Sequence, residues 1–448
     1  MTDRVSLVGM GKLGLCLAAV FAKKGLKTVA VDLERSTIEA VNQGRSPVVE
    51  PKLEEFIREV GGKSLVATLD HADAIEQTEV TFVLVATPSN PDGSFSNRHV
   101  ESALRSLASA FAKSKKPYHL FVISSTVVPG SVEGSFIPLI EEVSGRKVRQ
   151  DFDVCYDPDF VALGDVINGF LKPELVVIGE SSERAGDLVE AIHRRICENT
   201  PYFARMSLVS AEVAKVSLNS YVTLKISFAN TLANICQRIP GADVDAVTRA
   251  IGVDRRISPY YLKGGPAYGG TCFPRDTRAF ISFAARHGID AAVMRAAQEV
   301  NAQQHRELAE LVMRRYETGG HKVVGVLGLA FKPNTPVITE SPGIHLIQEL
   351  LRREVAVVAY DPLGMDSAKV ILEEQVDFVS SPWKLLSLCD LCVVTTPDHE
   401  FKEVLEKWKV DRPLAVIDCW RLLDTARLDP RIEYAALGYA DGARSSRS

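Results

Sequence analysis

No stretch of this 448-residue sequence approaches the roughly 20 consecutive apolar residues that a membrane-spanning helix requires, so no membrane partner is expected. Nor is there an excess of positive charge. With 52 Lys and Arg against 57 Asp and Glu, the net charge of −5 excludes an overall basic surface for nucleic acid. Eight cysteines scattered through a chain of this length do not form a disulfide framework and are expected as free thiols. Cys389 and Cys392 have C-x-x-C spacing, but no second pair or histidine cluster accompanies them. Since CDLCVVTTP reads as a buried strand, their expected role is structural and no metal is expected. The opening MTDRVSLVGMG lacks a charged-then-apolar leader, which makes a cytoplasmic location the expectation.

What is present is a chain rich enough in apolar residues (46%, against 24% charged) to bury large cores in two or three domains. Strand-like and helix-like segments alternate at both ends. RVSLVGMGKLG, the helical LGLCLAAVFAKK with Gly25 as its stop, and TVAVD form a βαβ start. The apolar runs VTFVLVATP, LFVISSTVVPG and LVVIGE extend it into a parallel sheet. Residues 207–238 contain neither glycine nor proline and predict a long helix. A second series opens at KVVGVLGLAFKP and runs through HLIQELLRR, VAVVAYDP and LCVVTTPD. The two halves echo each other, with a buried strand ending in Thr-Pro in each and βαβ starts that end in Asp32 and Asp361. The fold class is therefore α/β, with two Rossmann-like doubly wound domains joined by a long central helix. The expected divisions are 1–203 (dinucleotide binding), 204–315 (central, helical), 316–441 (second Rossmann-like domain) and a disordered tail, 442–448.

Gly9, Gly11 and Gly14 form G-x-G-x-x-G between a strand and a helix, and Asp32 closes the next strand 18 residues after Gly14. In that context the first glycine permits a tight turn, the second admits a pyrophosphate and the third lets the helix pack on the strand. Asp32 should accept hydrogen bonds from a ribose and repel a 2′-phosphate, so NAD is expected over NADP. Arg35 nearby works the other way.

Chemistry gathers in two further places. Lys215 and Asn219, four residues apart on the long helix, share a face and could steady a developing oxyanion. In GGPAYGGTCFPRD, Cys272 follows four glycines and a proline and precedes Arg275 and Asp276. Glycines admit close approach of backbone to a ligand, and a flanking cation favours a thiolate. Alone, the cysteine would read as a buried thiol in a turn and K-x-x-x-N as an exposed helix face. Together with a dinucleotide site they supply redox carrier, oxyanion support, nucleophile and base.

With these motifs, and with STVVPG, DPDF, AEVAKVSLN, VDRRI, KGGPAYGGTCFPRD and GLAFKPNT, the chain resembles the UDP-glucose/GDP-mannose dehydrogenases over nearly its whole length. That family oxidises the C6 alcohol of a nucleotide sugar to a carboxylate with NAD. The resemblance implies Cys272 as nucleophile, Lys215 and Asn219 at the oxyanion, Asp276 assisting proton transfer through water, and Thr126 and Asp159 near the reacting carbon and the hydrolytic water. It implies NAD contacts at Gly9, Gly11, Lys12, Leu13, Gly14, Asp32, Thr87, Pro88, Ser125, Thr126 and Arg275. Substrate contacts are implied at Asp159, Phe160, Val161, Lys215, Asn219, Arg256 and Tyr261. Lys263, Gly264, Gly265, Tyr268 and Gly269 continue that set, with Phe331, Lys332 and Arg421. A homodimer through the long helix, with Arg256 reaching the partner, is also implied. UDP-glucose is the expected substrate, oxidised in two steps through a thiohemiacetal and a thioester on Cys272.

The chain departs from the family pattern at Asp159 (a shortened acid), Leu163 (an acid lost), Val337 and Thr339 (in place of an acid and an arginine), Arg275 (in place of a lysine) and Thr37 (in place of a basic residue). A two-electron dehydrogenase of the 6-phosphogluconate or 3-hydroxyacid kind is the rival reading, but it needs neither a cysteine nucleophile nor a second nucleotide domain. A nucleotide-binding protein with weakened catalysis is the other, and the presence of Cys272, Lys215, Asn219 and Asp276 argues against it.

Overall fold

The structure, a computed structural model, describes residues 2–440; the expected tail at 442–448 lies outside the described residues. The chain divides into two compact units, and it passes from one to the other between Leu218 and Asn219, within the long helix Leu208–Cys236. That helix matches the stretch free of glycine and proline. Among the described residues no helix is long and apolar enough to cross a membrane.

The first unit is built on eight strands: β1 (Arg4–Val8), β2 (Lys27–Val31), β3 (Leu65–Thr68), β4 (Val80–Val83), β5 (His119–Ile123), β6 (Phe152–Tyr156), β7 (Leu175–Glu180) and β8 (Tyr202–Met206). Their order in the sheet is β3-β2-β1-β4-β5-β6-β7-β8. The central strands are Val-, Ile-, Leu- and Phe-rich because helices cover both faces and leave no wet side. The helix Lys12–Lys23 buries nine consecutive residues from Gly14 to Ala22. Among them Phe21 meets Phe82 of β4 with ring centroids 4.9 Å apart. Each such fully buried large side chain contributes about 1.5–3 kcal/mol relative to exposure.

The sheet is not wholly parallel as the sequence pattern suggested, because β6 and β7 pair antiparallel. The connection between them, residues 157–174, carries the six-residue helix Val166–Leu171. The 14-residue helix Glu183–Ile196 then makes a full crossover, and β8 is parallel to β7 again.

The second unit repeats the plan on β9 (Val323–Leu327), β10 (Ala356–Tyr360), β11 (Asp377–Phe378), β12 (Leu391–Val394), β13 (Leu414–Asp418) and β14 (Ile432–Ala436), in the order β11-β10-β9-β12-β13-β14. All of its pairings are parallel. In both units the order reverses beside the first strand, between β1 and β4 and between β9 and β12. In open α/β sheets ligands bind at the carboxyl ends of the strands at such a point. Cys389 and Cys392 are both fully buried.

Candidate functional site

At the carboxyl end of β1 the three glycines do different work. Gly9 has φ +102°, a conformation side chains rarely adopt, and an added Cβ would lie 2.9 Å from Val85 Cγ1. A Cβ on Gly14 would collide with the Gly9 carbonyl oxygen. Gly11, which caps the helix Lys12–Lys23, has ordinary backbone angles (φ −68°), and an added Cβ would meet nothing within 4 Å. Two glycines are thus demanded by the fold, and the third borders open space at a helix N-terminus, where N–H groups and dipole favour an anion.

Met10 N–H donates to Asp32 Oδ2 (2.6 Å) and Glu34 N–H to its Oδ1 (3.0 Å). The half-exposed carboxylate is aimed by its own loop and keeps lone pairs for a ligand hydroxyl. Ser125 Oγ accepts from Val85 N–H and donates to Val85 C=O, both at 2.9 Å, which pins the end of β4 to the end of β5. Thr87 is buried and Thr126 half-buried; Lys12, Arg35 and Pro88 are exposed. The open space at Gly11 with an aimed, unsaturated carboxylate fits a dinucleotide. Leu13 and Leu163, the latter standing where the family has an acid, pack against the core of this unit.

The same unit holds Asp159, Phe160 and Lys215. Lys215, buried on the long helix, donates to the Asp159 backbone carbonyl, and its Nζ lies 4.7 Å from the centroid of the Phe160 ring. An ammonium has three donors, so two remain. Asp159 Oδ2 is sealed from solvent and has no hydrogen-bond partner among the described residues, and burial, aided by the charge of Asp157, raises its pKa to about 7. Val161 lies against Gly169, where an added Cβ would be 2.8 Å from its Cγ1. One buried acid of this region escaped sequence reasoning. Glu212 accepts from Gly130 N–H (2.7 Å) and Val132 N–H (2.9 Å), holding the turn that follows Thr126; burial raises its pKa to about 7.

In the second unit Cys272 is exposed at the N-cap of the helix Phe273–Arg286, with Pro274 fixing the first turn. Thr271 Oγ1 lies 3.6 Å from its sulfur. Asp276 is 1% exposed and held from two sides, with Asn219 Nδ2 donating to Oδ2 (2.6 Å) and Arg275 Nε to Oδ1 (3.1 Å). Arg275 thus has its guanidinium on Asp276.

The glycine loop before Cys272 is clamped by amides that no sequence motif announced. Asn230 accepts from Gly265 N–H (2.8 Å) and donates to Pro266 C=O (3.2 Å). Asn301 brackets the Tyr268 backbone, accepting at 2.8 Å and donating at 3.0 Å, and Gln304 donates to Gly265 C=O (2.7 Å). Gly270 N–H reaches Thr339 C=O (2.9 Å). A Cβ at Gly264 would lie 2.7 Å from the Ala229 carbonyl oxygen, one at Gly265 3.1 Å from the Trp420 ring, and one at Gly270 2.6 Å from the Phe331 ring; at Gly269 it would collide with the Glu340 carbonyl oxygen. The glycines are therefore required by packing on several sides as well as by any ligand. The available signal was the spacing of Asn301 and Gln304, three apart on the helix Ala292–Gly319.

Arg421 is 5% exposed and donates to Asp245 (2.9 and 3.1 Å), Gly264 C=O (2.5 Å) and Leu437 C=O (2.8 Å), so it braces the start of the loop. Tyr268 is buried and Tyr261 exposed, both with rings near Phe273 (centroids 6.3 and 6.1 Å). Lys263 is exposed; Phe331 and Lys332 are half-buried, with Lys332 Nζ 5.7 Å from the Phe331 ring centroid. Arg256 is exposed and bound to Asp254 of its own chain (2.6 Å).

Comparison with known proteins bears on this arrangement. Three models of one family, the UDP-glucose/GDP-mannose dehydrogenase family, match in succession: its NAD binding domain over residues 3–197, its central domain over 209–303 and its UDP binding domain over 325–425. UDP-glucose 6-dehydrogenase AglM of Haloferax volcanii is 35% identical over 94% of this chain and 97% of its own length. GDP-mannose 6-dehydrogenase of Pseudomonas putida is 30% identical over 89% and 92%. A UDP-glucose dehydrogenase structure from Pyrobaculum islandicum superimposes with a TM-score of 0.87 at 33% identity, over 99% of this chain and 98% of that one.

Proposed function

The chain belongs to the UDP-glucose/GDP-mannose dehydrogenase family, with an NAD-binding domain, and from that premise we propose that it is a UDP-glucose 6-dehydrogenase working through Cys272. The observation that carries the reading is the exposed Cys272 at a helix N-terminus, behind a glycine loop that buried amides clamp from several sides. The family's UDP binding domain over 325–425 and the names of the H. volcanii and P. islandicum relatives favour a uridine nucleotide and glucose.

NAD, when bound, accepts hydride. Lys215 offers its two remaining donors to the C6 oxygen as it gains charge, and Asn219, its amide already oriented by Asp276, adds another donor. The Cys272 thiolate sulfur adds to the aldehyde carbon as the C=O π pair moves onto the oxygen that Lys215 and Asn219 face; the resulting thiohemiacetal keeps the carbon from escaping, and loss of its C6 hydride in the second oxidation leaves a thioester. For release, a water oxygen bonds to the carbonyl carbon while Asp159 takes its proton. The C–S bond then breaks, and its electron pair leaves on the Cys272 sulfur. Asp276 moves protons through water, and Thr126 holds the water. The remaining NAD and nucleotide-sugar contacts are those that the family resemblance implies.

Three segments, 1–203, 204–315 and 316–441, follow the three family matches. The long helix exposes Tyr221 (58%), Phe228 (50%) and Ile235 (47%), each seven residues from the next on one face, which favours a homodimer through it. Incubating the protein with NAD and a panel of UDP- and GDP-sugars tests the substrate. UDP-glucose should be turned over best, with two reduced cofactors per acid. Preferential turnover of another sugar, or one reduced cofactor with free aldehyde, overturns the reading.

A further inference from the structure

Behind Asp159 lies a pair that the mechanism above does not use. Asp157, 3% exposed just past the end of β6, and His193, 7% exposed on the helix Glu183–Ile196, are joined by a 2.8 Å contact between Oδ2 and Nε2. Burial alone would push the imidazolium to lose its proton, but the neighbouring Asp157 outweighs that and holds the His193 pKa up to about 10. An ion pair sealed this deep adds little net stability over an apolar pair of the same size. What it supplies is a fixed arrangement of charge two residues from a carboxyl whose Oδ2 has no hydrogen-bond partner among the described residues.

We propose that the His193–Asp157 pair is a positioning device for Asp159: it places a compensated charge behind that carboxyl, so that Asp159 can take and release a proton in the hydrolytic step. This rests on the reading of Asp159 as the base toward water. The groups that act on Asp159 are few. Asp157 from its own segment opposes its ionisation, whereas Lys215 from the long helix and His193 favour it. Cys197, just beyond the end of the His193 helix, acts on the imidazole in the same direction as Asp157. Asp157, Asp153 and the Glu180–Arg205 ion pair all act on the buried Cys155 of β6. Among the described residues, His193 is the cation in hydrogen-bond contact with Asp157.

Each half of the pair has its own sign. In H193Q the imidazolium is gone, and Asp157 and Asp159 become two like charges in one pocket, one of which must hold its proton to higher pH. In D157N the like charge is removed, the unpaired histidine sheds its proton, and Asp159 keeps Lys215 as its cation. The test is a carbon-13 NMR titration of the full-length protein labelled at the aspartate carboxyls, with Asp159 assigned by the signal that D159N deletes. The Asp159 titration should rise by about one pH unit in H193Q, where only a favourable charge is lost, and should fall by less in D157N, where the histidine's charge leaves together with that of Asp157. D157N is nearly isosteric and keeps a polar partner for the histidine, so it carries the test should H193Q fold poorly. No shift, or shifts of the same sign in both variants, overturns the proposal.

The decay of the Cys272-bound acid in single turnover, followed by mass at several pH values, separates this from the functional reading. The acid limb of decay should move with the NMR titration. A thioester that decays with an unmoved acid limb in all three proteins refutes the role given to the pair. NMR shifts as expected with no thioester on Cys272 would instead sink the functional reading and leave the electrostatic role standing.

Discussion

Substituting alanine at two glycines of one motif separates what the fold requires from what the cofactor requires. At Gly14 an added Cβ collides with the Gly9 carbonyl oxygen and comes within 3.2 Å of Leu7 Cδ2. Gly9 has no room to retreat, because its own position beside Leu84 and Val85 is already tight. Overpacking of this kind costs about 1–3 kcal/mol or more, which lowers Tm by about 2–10 °C in a unit of this size. Gly11 is different. Its φ of −68° suits alanine, and a Cβ there points into open space. The loss of freedom in the unfolded chain stabilises by about 0.4–1 kcal/mol, while alanine at a helix N-cap costs about as much, so Tm should stay within about 2 °C of the parent. NAD affinity should nevertheless drop, since the methyl group occupies the approach to the pyrophosphate. Losing one charge-assisted hydrogen bond from the helix N-terminus, worth about 1.5–3 kcal/mol, raises Kd roughly 10- to 100-fold. Calorimetric unfolding and NAD titration on G11A and G14A check this. If G11A binds NAD as the parent does, or unfolds as early as G14A, the assignment of Gly11 to the pyrophosphate is wrong.

Other outcomes follow from named contacts. C272A should bind UDP-glucose with nearly parental affinity by equilibrium titration, yet form no acid and carry no added mass at position 272; acid formation at the parental rate would remove Cys272 from the reaction. D32N, which loses the charge that repels a 2′-phosphate, should narrow the preference for NAD over NADP by about tenfold in cofactor titrations, and an unchanged ratio would mean that Arg35 sets the preference. Because burial raises the Glu212 pKa from 4.5 to about 7, the folded state binds more protons than the unfolded state between those values, and its contribution to stability declines as pH rises through that window. E212Q should accordingly raise Tm at pH 8 and lower or leave it at pH 5, a sign change that thermal scans at the two pH values can read. Sedimentation should find a dimer at micromolar concentration and its loss in F228D; a monomeric parent refutes pairing through the long helix.

What the sequence made legible was everything whose signal is local. The βαβ starts, the helix Leu208–Cys236 and the three glycines at β1 each depend on spacing within a few residues, where periodicity and backbone permissiveness act directly. Cys272 stood out for the same reason. What stayed hidden depends on partners far along the chain. Asn230 meets the loop 35 residues later, Asn301 and Gln304 reach back to it, and Arg421 reaches Gly264 across 157 residues. An asparagine in a helix looks the same whether it faces water or holds a buried carbonyl. The antiparallel β6–β7 pair was hidden because periodicity records burial and carries no strand direction.

The echo between the two halves, faint as sequence, is close as geometry, and it breaks at two points. Gly328 has φ +109° beside +102° at Gly9, and a Cβ at Gly343 would collide with the Gly328 carbonyl as one at Gly14 would with Gly9. Leu329 and Ala330 N–H groups donate to Asp361 Oδ2 (2.8 and 2.9 Å), in the manner of Met10 to Asp32. Yet Asp361, 3% exposed, also accepts from Leu363 and Gly364 N–H groups (2.9 and 2.6 Å) on its other oxygen. Four donors saturate a carboxylate, which has about four lone-pair sites. Asp32 accepts from two, so it keeps lone pairs for a ligand hydroxyl where Asp361 does not. Spacing follows the same division. Gly14 comes five residues after Gly9, which leaves the helix N-terminus bare, whereas Gly343 comes fifteen after Gly328. The added residues fold over as 331–341, with Phe331 N–H on Val337 C=O, and spend the Thr339 carbonyl on Gly270. In the second unit that segment is part of the support for the loop that ends at Cys272.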